Sequence, residues 1–342
     1  MLKAVGWYLD NIYYNNKWSC IADNNFTNEN ISFYFFENIF SKFNWEKEPT
    51  TSLEFLLEQR ARQLRDSYDY IRLWYTSGSD SETILQTFLK HNIHIDEIAV
   101  AKNPFTQSDR ELNKRAIPKL ELLQDSLSKT FINIFQTTSE QYLDILENQD
   151  YDKISSDVTL RSMSYLSSCY HTHSKIMEAP HLKHNKVVNL IGHIKPRLEK
   201  RDNKFFTYEW DSVISTLSLT PNLEMFYTGH DCPELHIKQC HVAKNFIKYK
   251  YPTIGNQIFS ENNEYRYDIE KAIRVPIDNT YTFTKENTLR NLTEKAKLSV
   301  KEAYTVAPDV YYAFKNLTKD YHFIFNKHKK LSIKSKEYCL GS

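Results

Sequence analysis

The chain has 342 residues, 41% hydrophobic and 25% charged, enough for two domains or one large decorated α/β domain. Its 44 Lys plus Arg nearly balance 43 Asp plus Glu, so no general field draws it to nucleic acid or a membrane surface. Five scattered cysteines (Cys20, Cys169, Cys232, Cys240, Cys339) form no C-x-x-C pair, and no apolar run approaches a membrane span. The cysteine pattern argues against an iron–sulfur cluster or zinc ribbon and for a reduced cytoplasm.

Residues 1–50 read as β-rich. Val5–Leu9 and residues 18–22 flank the turn-prone Asn11…Asn15-Asn16 and predict a hairpin, and residues 31–36 predict a further aromatic strand. Residues 52–64 predict a helix with Leu53, Leu56, Leu57, Ala61 and Leu64 on one face and Ser52 as N-cap. Arg60, Arg62 and Arg65 fall largely off that face and are expected in solvent, with a phosphate contact as the alternative.

The next stretch is the most informative. Ile71, Leu73 and Tyr75 alternate with Arg72 and Trp74 as in a strand. Thr76-Ser77-Gly78-Ser79-Asp80-Ser81 follows at once, and then Ile84, Leu85, Phe88 and Leu89 recur at helical spacing. A strand, a small hydroxyl-rich turn and a helix N-terminus together make an anion site, because unpaired N–H groups and the helix dipole both favour phosphate. Asp80 would repel that phosphate unless a cation intervenes, which suggests Mg²⁺. No Walker A sequence, G-x-x-x-x-G-K-[ST], occurs here.

Strands and helices then alternate. Strands are predicted at 97–101, 131–135 and Val187–Ile191, and helices at 108–123, 139–146 and 161–168. This pattern implies an α/β fold: a mostly parallel sheet with helices on both faces, spanning residues 51–250. Ligands of such sheets sit at strand carboxyl ends, at a topological switch point, which lets Thr76 and Gly192 meet. After Gly192, Lys195 and Arg197 present cations around Pro196, although Lys200, Arg201 and Lys204 extend the charge as in a basic surface loop.

Cys232, His236 and Cys240 are spaced four apart and would share a helix face, either as metal ligands or as packed core among Leu235, Val242, Ala243 and Phe246. Cys169, His171 and His173 form a weaker group, and His193 reads as a surface residue. Residues 251–342 read as a mainly helical C-terminal region with helices at 289–304 and 309–317. A short basic run, Lys327-His328-Lys329-Lys330, lies near the end.

The loop resembles the S-G-G-x-D-S pyrophosphate loop of the PP-loop ATP pyrophosphatases. Thr76 stands at the first serine, Ser77 replaces the first glycine, Ser79 is variable, and Gly78, Asp80 and Ser81 match. Gly6-Trp7, the arginine-rich helix, Gly192-His193-Ile194-Lys195-Pro196-Arg197, Met225-Phe226-Tyr227, Pro233-Glu234-Leu235 and Lys238-Gln239 are similar to blocks of phage-encoded asparagine synthase-like proteins. The resemblance covers roughly residues 5–250. It implies an adenine nucleotide alpha hydrolase-like fold in a cytoplasmic protein, the host's if phage-encoded. MgATP would be held by Thr76, Ser77, Gly78, Ser79 and Ser81, with Asp80 assisting the metal. Lys195 first and Arg197 second would stabilise the departing pyrophosphate.

The activity implied is adenylation of an acceptor, followed by displacement by ammonia or another nucleophile supplied from outside or by a partner. Glutamine hydrolysis is not expected, because position 2 is Leu2 rather than cysteine and the 1–50 region is too short for a glutaminase domain. Two alternatives stay open. Ser77 in place of glycine supports a non-catalytic nucleotide-binding or interaction protein, and Cys339 weakly supports an adenylylsulfate reductase-like enzyme.

Overall fold

The computed structural model describes residues 5–14, 20, 23–24, 29–102, 115–136, 186–192, 195–211, 223–259, 263–275 and 333–342. It opens with strands β1 (Val5–Leu9), β2 (Ile12–Tyr14) and β3 (Ile31–Phe35), an antiparallel sheet ordered β2-β1-β3. Leu9 faces Ile12, so Asp10 and Asn11 alone form the turn, both with left-handed backbone (φ 47° and 70°). Short polar side chains tolerate that conformation, and a tight turn of this hand matches strand twist. The hairpin is therefore tighter than the one expected. Its second strand is β2, and of residues 18–22 only Cys20 lies among the described residues.

Helix α1 (Glu37–Phe40) leads to α2 (Leu53–Ser67), where Ser52 Oγ accepts from the Phe55 N–H at 3.2 Å as the expected N-cap. One arginine departs from expectation. Arg60 is buried, because Asp231 (2.7 Å), Glu224 (3.3 Å) and the Met225 carbonyl (3.1 Å) together supply the partners its charge requires. Arg62 pairs with Glu58 near the surface and Arg65 with Asp96 at 2.6 Å.

Then come β4 (Tyr70–Trp74), α3 (Ser79–Lys90), β5 (Glu97–Lys102), α4 (Ile117–Leu122), β6 (Phe131–Gln136) and β7 (Val187–Ile191). The antiparallel hairpin β8 (Arg197–Arg201) and β9 (Lys204–Tyr208) follows, then β10 (Leu223–Met225) and α5 (Pro233–Lys250). β11 (Gln257–Ile258), α6 (Asn263–Ile273) and β12 (Tyr338–Cys339) complete the described elements.

The central sheet is all parallel, ordered β10-β7-β4-β5-β6. From β4 the chain builds outward through β5 to β6, then returns to the opposite side of β4 as β7 and continues to β10. The reversal puts the topological switch between β4 and β7. Strand alternation divides the core in two. Ile71, Leu73, Ile98, Val100, Val188 and Leu190 pack with α2, α3 and α4. Trp74, Ala99, Ile191, Leu223 and Met225 join a second cluster with α5, α6 and the antiparallel sheets.

A third sheet, β11-β8-β9-β12, is built where the sequence reads as a basic loop. β11 and β12 bring residues beyond 250 onto β8 and β9, so the boundary drawn at 250/251 runs through this sheet. Aromatic stacking ties it to the rest: the Trp45 and Tyr338 rings lie 4.2 Å apart, and Trp7 Nε1 donates to Asp211 at 3.0 Å. The helices expected at 139–146, 161–168, 289–304 and 309–317, the start of the 108–123 helix, and the 327–330 basic run lie outside the described residues. No described helix is long and apolar enough to cross a membrane.

Candidate functional site

The loop after β4 is held from within. Tyr75 N–H still bonds the Ala99 carbonyl at 2.9 Å, and the Thr76 N–H then turns to Ser81 Oγ at 3.1 Å. Ser77 takes a left-handed backbone (φ 56°), a conformation glycine adopts without strain, and it occupies the position where the S-G-G-x-D-S pattern has glycine. Its hydroxyl is buried and has no hydrogen-bond partner, while its carbonyl accepts from Arg115 Nη2 at 3.3 Å. Gly78 then starts α3 in an extended conformation. The first i→i−4 bond of the helix runs from Glu82 N–H to the Gly78 carbonyl at 2.9 Å, so the amides of Ser79, Asp80 and Ser81 lack such a partner.

The second stretch meets this loop. Lys195 Nζ stands 2.8 Å from Asp80 Oδ2 and 3.1 Å from Glu270 Oε2. β7 reaches the loop closely enough that a Cβ on Gly192 would come 2.9 Å from the Asp80 carbonyl carbon, which only a glycine avoids. Thr76 to Ser81, Gly192 and Lys195 therefore share one place at the carboxyl ends of β4 and β7. Arg197 is placed differently: it lies on β8, with Nε 3.8 Å from Glu209. His193 is outside the described residues.

Arg274 and Glu270 belong to none of the motifs in the sequence, and Tyr227 and Gln239 occur only within the similar blocks. Arg274, just past α6, donates from Nε to Asp80 Oδ1 (2.7 Å) and from Nη1 to Gln239 (2.6 Å), and its guanidinium lies 3.4 Å from the Tyr227 ring centroid. Tyr227 OH in turn donates to the Asp80 carbonyl at 2.6 Å. Glu270, one turn before Arg274, accepts from the Ser79 hydroxyl. The signal available was the spacing of Tyr265, Ile269, Ala272 and Ile273, which is helical but sits in an Asn- and Tyr-rich stretch. Burial pushes the Asp80 carboxyl up, but Arg274 and Lys195 outweigh it and its pKa is held below the ordinary value. Both Asp80 oxygens are occupied by these cations, so a magnesium ion there would have to take one from Lys195 or Arg274.

The remaining candidates fall elsewhere. His236 stacks on Phe40 (centroids 5.4 Å apart, planes 3° apart), and Cys240 is buried against the Thr207 hydroxyl at 3.6 Å, while Cys232 precedes α5. Among the described residues, no three His, Cys, Asp or Glu side chains converge as a metal site. Cys339 is fixed in β12 opposite Phe206. Cys169, His171 and His173 lie outside the described residues. No protein-family model matches this chain, and no curated protein matches it either.

Proposed function

We propose that the loop at the β4–β7 switch binds the polyphosphate of ATP and that the protein adenylates an acceptor with release of pyrophosphate. The observation that carries this reading is Lys195 Nζ, from the exit of β7, 2.8 Å from Asp80 in the loop after β4. It puts a cation beside a helix N-terminus whose first amides have no intrahelical acceptor, in the crevice where such sheets bind ligands. The buried, unpartnered Ser77 hydroxyl is a further donor for phosphate oxygen. On this reading the fold is a PP-loop fold.

In the reaction an acceptor oxygen attacks the α-phosphorus, and the bond to the β-phosphate breaks with its electron pair going to pyrophosphate. Lys195 and Arg115 then face the departing charge. Arg197, which the resemblance gives as the second cation after Lys195, has its Nε 3.8 Å from Glu209. Ammonia or another nucleophile supplied from outside would then bond to the adenylated acceptor, with AMP as the leaving group. Asp80 is the counter-ion of Lys195 and Arg274.

A second reading, nucleotide binding without turnover, is favoured by the serine side chain at position 77, where the pattern has glycine. Incubation with α-labelled ATP, ammonia and a panel of carboxylate, amide and nucleobase acceptors separates the two. Stoichiometric AMP and pyrophosphate dependent on one acceptor supports adenylation; binding with no AMP across the panel supports the second reading.

A further inference from the structure

Glu270 reaches from α6 onto the two groups that the nucleotide reading assigns to phosphate. One carboxylate oxygen accepts the hydroxyl of Ser79, the first residue of α3, and the other stands 3.1 Å from Lys195 Nζ. An anion at the positive end of a twelve-residue helix and against an ammonium is what a phosphate group would also be. The unpartnered Ser77 hydroxyl lies in the same loop, 5% exposed.

We propose that the Glu270 carboxylate is a built-in anion that a polyphosphate must displace, so that this side chain acts as a latch on the site. The inference rests on the nucleotide reading and adds a means of regulating it. α6 does not need Glu270 to stay in place. Ile269 and Ile273 are buried in the core, and Asp268 accepts from Lys250 and from the Tyr251 hydroxyl. Arg274 holds Asp80 and Gln239, and the Val275 N–H donates to Thr83 Oγ1 at 2.9 Å. Among the described residues, rotation of Glu270 away from the loop therefore forfeits its contacts to Ser79 and Lys195, and an entering phosphate oxygen replaces both. Asp80 cannot exchange in this way, because Arg274 keeps hold of it from a fully buried position.

A site occupied by its own carboxylate has its affinity for ligand reduced to the fraction of time it is open. The test is calorimetric titration of the full chain with inorganic pyrophosphate, for wild type, Glu270→Gln and Glu270→Ala. Glu270→Gln keeps a group able to accept from Ser79 and removes only the charge. Both variants are expected to bind about tenfold tighter than wild type, the size set by a latch closed roughly nine-tenths of the time. Equal or weaker binding by both variants overturns the latch and leaves the nucleotide reading standing. Absence of binding by all three proteins overturns both.

Discussion

A Cβ at position 192 would lie 2.9 Å from the Asp80 carbonyl carbon and 3.0 Å from its Cβ. Backbone cannot rotate aside, so β7 or the loop has to move. Gly192→Ala is expected to cost about 1–3 kcal/mol in urea unfolding and to weaken pyrophosphate binding; wild-type values for both would show that the approach is slack. Glu209 sets a different single-residue constraint. Burial pushes its carboxyl up to about 8, and Arg197, at 3.8 Å, lies beyond hydrogen-bond range and offsets only part of that. Between the ordinary carboxylate value and about 8, the unfolded chain has released this proton while the folded protein still holds it. Stability from this group therefore falls as pH rises through that window. Glu209→Gln should remove the fall, so its urea midpoint relative to wild type should rise between pH 5 and pH 8, by about 2–4 kcal/mol in stability. Parallel midpoints at both pH values would contradict this.

Among the elements, α6 and the β8–β9 hairpin were the least legible from sequence, for different reasons. β8 and β9 carry Lys200, Arg201 and Lys204, which read as a solvated loop; they pair with each other along their whole length, and β11 and β12, distant in the chain, cover their outer edges. The buried alternation of Phe205 and Thr207 is too short to announce them. α6 carries a helical apolar spacing, but its role is set by Glu270 and Arg274, whose partners no local pattern reveals. β4 and β7, by contrast, are short apolar runs buried in the sheet, and they were readable nearly to the residue. Arg274 gives α6 a measurable weight. Its guanidinium is fully buried against Asp80, Gln239 and the Tyr227 ring, so Arg274→Met leaves part of the half-buried Asp80 carboxylate unpaired. The expected loss is about 3–5 kcal/mol by urea unfolding. A loss below roughly 1 kcal/mol would mean that Lys195 alone satisfies Asp80.

Across the whole molecule, the alternation of strands and helices was enough to foresee a parallel sheet, and the sheet in turn brings residues 76–81 together with Gly192 and Lys195. What alternation does not encode is the strand order that puts β7 beside β4, nor the packing of α6 on α5 that brings it to the same crevice. The candidate site was therefore half visible: Asp80 and Lys195 could be named, while Arg115, Tyr227, Glu270 and Arg274 reach it only through the completed fold. The central claim is that this crevice binds an ATP polyphosphate through the loop and Lys195. Its most direct test is the increment in thermal stability produced by Mg²⁺ and α,β-methylene ATP, measured for wild type and for Lys195→Ala. At about 100 times Kd the analogue should add roughly 2.7 kcal/mol to wild type, and Lys195→Ala should lose most of that increment. No shift in wild type at millimolar analogue, or an equal shift in Lys195→Ala, would contradict the claim.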